Sequence, residues 1–159
     1  MLKLGIVGWR GMVGQVLMER MLSEDDFCHF ETTFFSTSQK GEKNPIQSKN
    51  ADPVLQDAHD LALLKQMDVI LTCQGGDYTK KIHAELRAAG FRGYWIDAAS
   101  TLRLEKEAVI ILDPLNKHVI QSALKNNQKD FIGGNCTVSL MMLALGGLFK
   151  TEEVEWITS

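Results

Sequence analysis

The sequence predicts an α/β protein: a doubly wound, mostly parallel sheet with helices on both faces. Three observations lead there. Short apolar runs rich in Val, Ile and Phe alternate along the chain with segments of helical period. Runs such as "DVILTC" and "AVIILD" are apolar at consecutive positions, as expected for strands covered on both sides. A glycine-spaced stretch, "GIVGWRGMVGQVL", joins the first apolar run to the first helix-period segment.

Taken in order, "LKLGIV" places a strand at 2–7, and the glycine stretch leads into a helix over 12–22. The β-branched and aromatic run "TTFFS" predicts a strand at 32–36. Residues 36–53, "STSQKGEKNPIQSKNADP", are polar, hold two of the three prolines and show no period, which reads as a long surface loop. A helix over 57–66 and a strand at 68–73 follow. A helix over 78–89 comes next. Strands at 93–97 and 108–112, a helix over 115–126, a strand at 130–132 and a helix over 137–149 complete the alternation, with a last strand at 154–158. Helices flanking consecutive buried strands give the two-sided parallel architecture.

With 159 residues, 45% of them hydrophobic and 23% charged, the chain is sized for one domain. A net charge of -3 and a pI near 5.8 offer no electrostatic reason to expect nucleic acid or an anionic membrane as partner. The opening "MLKLGIVG" is unlike a secretory leader, so a cytoplasmic protein is expected. The longest apolar run, 138–149, is broken by Ser139 and Gly146-Gly147 and falls short of the ~20 residues a bilayer demands, so it reads as a buried helix. Three cysteines without CxxC spacing and four scattered histidines argue against a disulfide framework and a metal site. "TEEVEWITS" starts another strand and stops, which leads to the expectation that the chain is the first part of something longer.

Gly8, Gly11 and Gly14 stand at three-residue spacing between a strand and a helix. Such a loop brings backbone close to a pyrophosphate, aims helix N-terminal amides at it and packs helix against sheet, which makes the fold Rossmann-like. Arg10 adds a cation near the phosphates. A domain preferring NAD is expected to carry an acidic residue after the second strand; "FFSTSQK" carries Ser36, Thr37, Ser38 and then Lys40, a setting that welcomes a 2′-phosphate and points to NADP. The same hydroxyl residues would also make a plain turn.

Cys136 lies between "GGN" and the last helix. Thiolate is favoured at a helix N-terminus, where macrodipole and free amides converge. Gly133 and Gly134 allow close approach, and the Asn135 amide is a donor suited to a developing oxyanion. A thiolate beside a nicotinamide implies an aldehyde or acyl chemistry through a thioacyl enzyme. The alternative is a small residue packed at a helix entry. In "CQGGDYT", Gln74 is placed to approach the nicotinamide end, and in "DAASTLR", Ser100 and Arg103 follow a strand end where open α/β sheets bind ligands.

Together, "GIVGWRGMVG", "FFSTSQ", "TCQGGDYT", "WIDAAS", "ILDPLN" and "GGNCTVSLMM" resemble the N-terminal part of bacterial aspartate-β-semialdehyde dehydrogenases, over residues 1–159. The resemblance implies NADPH-dependent reduction of L-aspartyl-4-phosphate to the semialdehyde with release of phosphate, on the route to diaminopimelate, lysine, threonine, methionine and isoleucine. It implies Cys136 as nucleophile with Asn135 beside the reacting carbonyl. Gly8, Arg10, Gly11, Met12 and Val13 would hold the cofactor diphosphate, Thr37 and Ser38 its 2′-phosphate, and Gln74 the nicotinamide side. Arg103, with Ser100, would hold the substrate phosphate. Members of the family are more than twice as long, so residues 1–159 are expected to form the NADP-binding domain carrying the nucleophile. The acid–base histidine, the carboxylate-binding arginine and most of a homodimer interface are expected beyond it. The isolated chain is then expected to be inactive and to expose apolar surface.

N-acetyl-glutamyl-phosphate reductase shares the loop and cysteine chemistry but matches "GWRGMVG" and "FFSTSQ" less well. Glyceraldehyde-3-phosphate dehydrogenase would call for an acid after the second strand. A non-catalytic NADP-binding or assembly module, and an α/β domain whose glycines merely shape turns, remain open on the residues alone.

Overall fold

The structure, a computed structural model, describes residues 1–46, 48, 50–151 and 154–156. Seven strands form one sheet: β1 Leu2–Val7, β2 Phe30–Ser36, β3 Gln56–Asp57, β4 Val69–Thr72, β5 Tyr94–Asp97, β6 Ala108–Ile111 and β7 Asp130–Gly133. Their order is β3-β2-β1-β4-β5-β7-β6, and every neighbouring pair is parallel. Four helices lie between strands, α1 Met12–Ser23, α2 Leu61–Leu64, α3 Gly76–Ala88 and α4 Lys117–Lys125, and α5 Cys136–Lys150 follows β7. The fold is Rossmann-like.

Alternation along β1 distributes its side chains to both faces. Leu4 and Ile6 join Phe34 and the α1 residues Met18 and Met21 on one face. Val7 joins Phe35, Ile70, Trp95 and Ile132 on the other, under Leu64 of α2 and Tyr78, Ile82 and Leu86 of α3. α4 covers the far end of the sheet through Ala123 against Val109 and Phe131. The consecutive apolar positions of β1 are thus used on two sides.

Four expectations require correction. The helix expected over 57–66 shrinks to Leu61–Leu64, because Gln56 and Asp57 pair with Phe35 and Ser36 as β3 and the Asp60 carboxylate accepts from the Leu63 N–H at 3.0 Å, starting the helix late. The loop after β2 is not wholly on the surface. Asn44 is buried, its Nδ2 donating to the Asp52 carbonyl at 2.9 Å and its Oδ1 accepting from the Ile46 N–H at 3.0 Å, and Leu55 is buried beside it. The apolar helix is not buried: Val138, Leu140, Leu143 and Leu148 of α5 are all exposed, and the helix is closely packed at Gly146, where an added Cβ would lie 2.4 Å from Leu115 Cδ2. Its high hydrophobicity measures what could be covered, and nothing among the described residues covers it. Residues 154–156 form no strand, and residues 157 and 158 of that expected strand lie outside the described residues. Two elements were not foreseen, the short strand β3 and a 3-10 turn at Asp26–His29 that buries Phe27.

At the opposite end of the sheet from the glycine loop, one cluster ties α3 to β5 and β7. Arg87 donates to the Gly93 carbonyl at 2.9 Å and to the Asp130 carboxylate at 2.6 Å, and His83 Nε2 lies 2.9 Å from the same carboxylate oxygen. Burial alone would raise the Asp130 carboxyl, but the hydrogen bonds from His83 and Arg87 outweigh it and hold the group below the usual carboxylate range. A folded-state value below the unfolded one gives stability that is complete above about pH 4 and is lost as pH falls through the folded value. Asp130→Asn is expected to cost about 2 kcal/mol near neutral pH and much less in acid. Urea unfolding at the two pH values checks this, and equal loss at both would contradict it.

Candidate functional site

The chain reverses its direction of winding between β1 and β4, and a cleft of about 230 Å³ opens at the C-terminal ends of these strands. Gly8, Trp9, Arg10, Gly11, Ser36, Thr37, Cys73 and Gln74 are among the residues that line it. The three glycines have different reasons to be there. Gly8 has φ +79°, and a Cβ on it would lie 2.3 Å from the Gln74 backbone nitrogen. A Cβ on Gly14 would lie 2.3 Å from the Gly8 carbonyl oxygen. Gly11 is under no such constraint, with φ -70° and its nearest contact at 3.6 Å. Packing accounts for Gly8 and Gly14, whereas the bare backbone of Gly11 leaves room for something outside the protein.

Gly11 is also the N-cap of α1, without a side-chain cap and with no acidic residue in the first turn. Met12 and Val13 are exposed there, so the helix start presents backbone amides to the cleft, the arrangement that receives a phosphate. A dinucleotide diphosphate fits this cradle.

At the end of β2, the turn reading of the hydroxyl run holds for Ser36. Ser36 is buried and shapes the turn, its Oγ accepting from the Ser38 N–H at 3.3 Å and the Gln39 N–H at 3.0 Å. Thr37 lines the cleft and Ser38 is exposed. Arg10 Nη2 donates to Ser38 Oγ at 3.0 Å, and its guanidinium lies 5.7 Å from the centre of the Trp9 ring. The arginine therefore bridges the glycine loop to the β2 end. Lys40 is not a free cation: its Nζ lies 2.9 Å from Asp57 Oδ2. The His59 N–H and the Lys40 ammonium hold the Asp57 carboxyl below its ordinary range. An acid does stand at this end of the sheet, on β3, already engaged with Lys40.

The second group of residues gathers beyond β5 and β7. Asp97 is buried, with one carboxylate oxygen accepting from Thr79 Oγ1 at 2.6 Å and Trp95 Nε1 at 3.2 Å and the other from the Ala99 N–H at 2.8 Å. It orders the start of the segment that carries Ser100, which is exposed, and Arg103. Arg103 reaches the loop before Cys136, donating Nε–H to the Gly133 carbonyl at 2.8 Å and Nη2–H to the Gly134 carbonyl at 3.0 Å. A Cβ on Gly134 would meet Ser139 Oγ at 2.5 Å, so that hydroxyl would have to turn away, while Gly133 has ordinary space.

Cys136 is the first residue of α5, one position earlier than expected, and it is exposed. Asn135 is the N-cap: its Oδ1 accepts from the Val138 N–H at 3.1 Å, which turns the side-chain NH2 outward as the donor. Burial and the Asp97 carboxylate push Cys73 up to about 11, and partial desolvation with the carboxylates of Asp25 and Asp26 raises Cys28. Asp97, Thr79 and Trp95 were missed as site-ordering residues. The acid in "WIDAAS", in the middle of an otherwise apolar strand end, was the available signal.

Among the described residues, no group of three or more His, Cys, Asp or Glu side chains is placed to hold a metal, and no helix is long and apolar enough to cross a membrane. Fold and cleft are those of a dinucleotide-binding type of domain, with a cysteine just past the C-terminal end of β7. Comparison narrows the class. Residues 3–123 match the family described as Semialdehyde dehydrogenase, NAD binding domain. The aspartate semialdehyde dehydrogenase of Francisella tularensis is 55% identical, with a TM-score of 0.93, over 98% of this chain and 43% of that one. Aspartate semialdehyde dehydrogenase II of Vibrio cholerae, complexed with ASA, and the Candida albicans enzyme with NADP, each 20% identical, share the fold with TM-scores of 0.74 and 0.63. The chain belongs to the semialdehyde dehydrogenase family. It spans less than half the length of these relatives, 43% to 47%.

The glycine analysis separates folding from binding. Gly14→Ala is expected to destabilise by at least about 2 kcal/mol through overpacking. Gly11→Ala is expected to leave the melting temperature unchanged and to weaken dinucleotide binding about tenfold or more. Melting curves and calorimetric titration read the two effects separately, and undiminished affinity in Gly11→Ala would show that the cradle is not the binding surface.

Proposed function

We propose that this chain is the NADP-binding part, residues 1–159, of an enzyme that reduces L-aspartyl-4-phosphate to aspartate semialdehyde with release of inorganic phosphate, in the biosynthesis of the aspartate-derived amino acids. The observation that carries the reading is the convergence at the sheet's C-terminal edge of an empty-sided glycine cradle and an exposed cysteine at a capped helix start. The 55% identity to the Francisella enzyme supports the substrate.

The residues divide the work as follows. Gly8, Gly11 and the amides of Met12 and Val13 would hold the diphosphate, with Gln74 toward the nicotinamide. Thr37, Ser38 and Arg10 would receive the 2′-phosphate, a reading supported by the Arg10–Ser38 hydrogen bond at 3.0 Å and by the pairing of Asp57 with Lys40. It agrees with the cofactor named for the Candida relative. Cys136 Sγ attacks the acyl carbon, forming the C–S bond as the carbon–oxygen bond to phosphate breaks. The Asn135 amide faces the carbonyl oxygen where negative charge collects. Ser100 and the guanidinium of Arg103 hold the leaving phosphate. The bound cofactor supplies the hydride that turns the thioester into the aldehyde. The proposal includes a cytoplasmic homodimer, for which the uncovered apolar side chains of α5 offer contact surface.

Acylation tests the reaction directly. Incubation of the full-length enzyme with aspartyl phosphate is expected to add one aspartyl group by mass at Cys136 and to release an equivalent of phosphate, and Cys136→Ala is expected to abolish both. Iodoacetamide near neutral pH is expected to modify Cys136 ahead of Cys28 and Cys73. Equal labelling with no acyl adduct would favour the non-catalytic binding module. For the cofactor, Ser38→Glu is expected to weaken NADP about a hundredfold relative to NAD, and Arg10→Ala about tenfold, on the scale of one to two charge-assisted contacts. An unchanged NADP-to-NAD ratio in both variants would remove the 2′-phosphate assignment.

A further inference from the structure

Arg103 does more in this structure than wait for an anion. Two of its five N–H groups are spent on the backbone, Nε–H on the Gly133 carbonyl at 2.8 Å and Nη2–H on the Gly134 carbonyl at 3.0 Å. These two peptides lead directly into Asn135 and Cys136. Its own segment is anchored independently: the Arg103 N–H donates to the Ser100 carbonyl at 3.1 Å, and Thr101 Oγ1 donates to the Gly76 carbonyl at 3.3 Å. Asp97 holds the segment's start through the Ala99 N–H at 2.8 Å. The guanidinium is thus a rigid strut between an ordered turn and the loop that carries the nucleophile. Three N–H groups remain without a partner among the described residues, including the pair on the Nη1–Nη2 edge that matches a phosphate or carboxylate.

We infer that Arg103 is a positioning residue for Cys136: one edge of its guanidinium fixes the carbonyls of Gly133 and Gly134 while the other receives the substrate phosphate, so that anion binding stiffens the nucleophile's loop. This rests on the acyl-phosphate reading given above and adds to it a link between the two subsites. Neighbouring peptides held by one planar fork are something a lysine ammonium cannot reproduce while also presenting a second edge. The link therefore depends on the shape of the arginine and not on its charge alone.

Hydrogen exchange of the chain, its Arg103→Lys and its Arg103→Gln forms reads this. In wild type, inorganic phosphate is expected to slow exchange of the amides over 133–138 and to leave β1 and β4 unchanged. Without phosphate, both variants are expected to exchange those loop amides about tenfold or more faster, with β1 and β4 again unchanged. Loop protection in Arg103→Lys equal to wild type would overturn the positioning role. Should a variant lose protection throughout the sheet, the wild-type phosphate titration decides alone, and no slowing at 133–138 would overturn the link. The outcome is separable from that of the function: acyl adduct at Cys136 with an indifferent loop defeats the strut, whereas a phosphate-responsive loop without an adduct defeats the acyl-phosphate reading.

Discussion

Where β1 leaves the sheet, Gly8 passes so near the end of β4 that a Cβ would lie 2.3 Å from the Gln74 nitrogen, and Gly14 at the start of α1 rests as closely on the Gly8 carbonyl. This double contact determines the rest of the site. It brings α1 down onto the sheet, turns the first free amides of the helix over the β1–β4 gap and opens the cleft between the glycine loop and the end of β2. Close packing without side chains is what leaves the backbone of the loop open to the cleft.

A second, independent framework holds the reactive end. Asp97, buried and supplied with three donors, orders the turn after β5, and Arg103 carries that order across to the loop after β7. Asn135 passes it to the first turn of α5. The two frameworks meet through the sheet, where Thr72 and Asp97 are paired neighbours on β4 and β5. The glycine loop after β1 and Cys136 after β7 are thereby placed by parallel strands of one sheet with β4 and β5 between them, so their separation follows from sheet geometry.

Much of the fold was legible because its signals are local. Six of the seven strands were marked by apolar or β-branched runs, and the start of α1 by a glycine loop whose spacing has a direct steric meaning. β3 was not legible, since two polar residues at a sheet edge carry no periodic signal. The burial of α5 was misjudged for a related reason. Hydropathy reports the cost of exposing Leu140 or Leu148 to water, and whether another surface lies over them is decided elsewhere.

By itself the sequence determined the architecture, the glycine loop and the placing of a cysteine at a helix start, because each depends on residues within a few positions of one another: Gly8 to Gly14 on a strand–turn–helix, and Asn135 with Cys136 at the start of α5. Tertiary structure decided which charges are free and which are committed. Arg10 reaches Ser38 across 28 residues, Lys40 reaches Asp57 across 17, and Arg103 reaches Gly133 across 30. Side-chain charge can be read from a letter, but the partner that occupies it is set by which strand ends the sheet brings side by side.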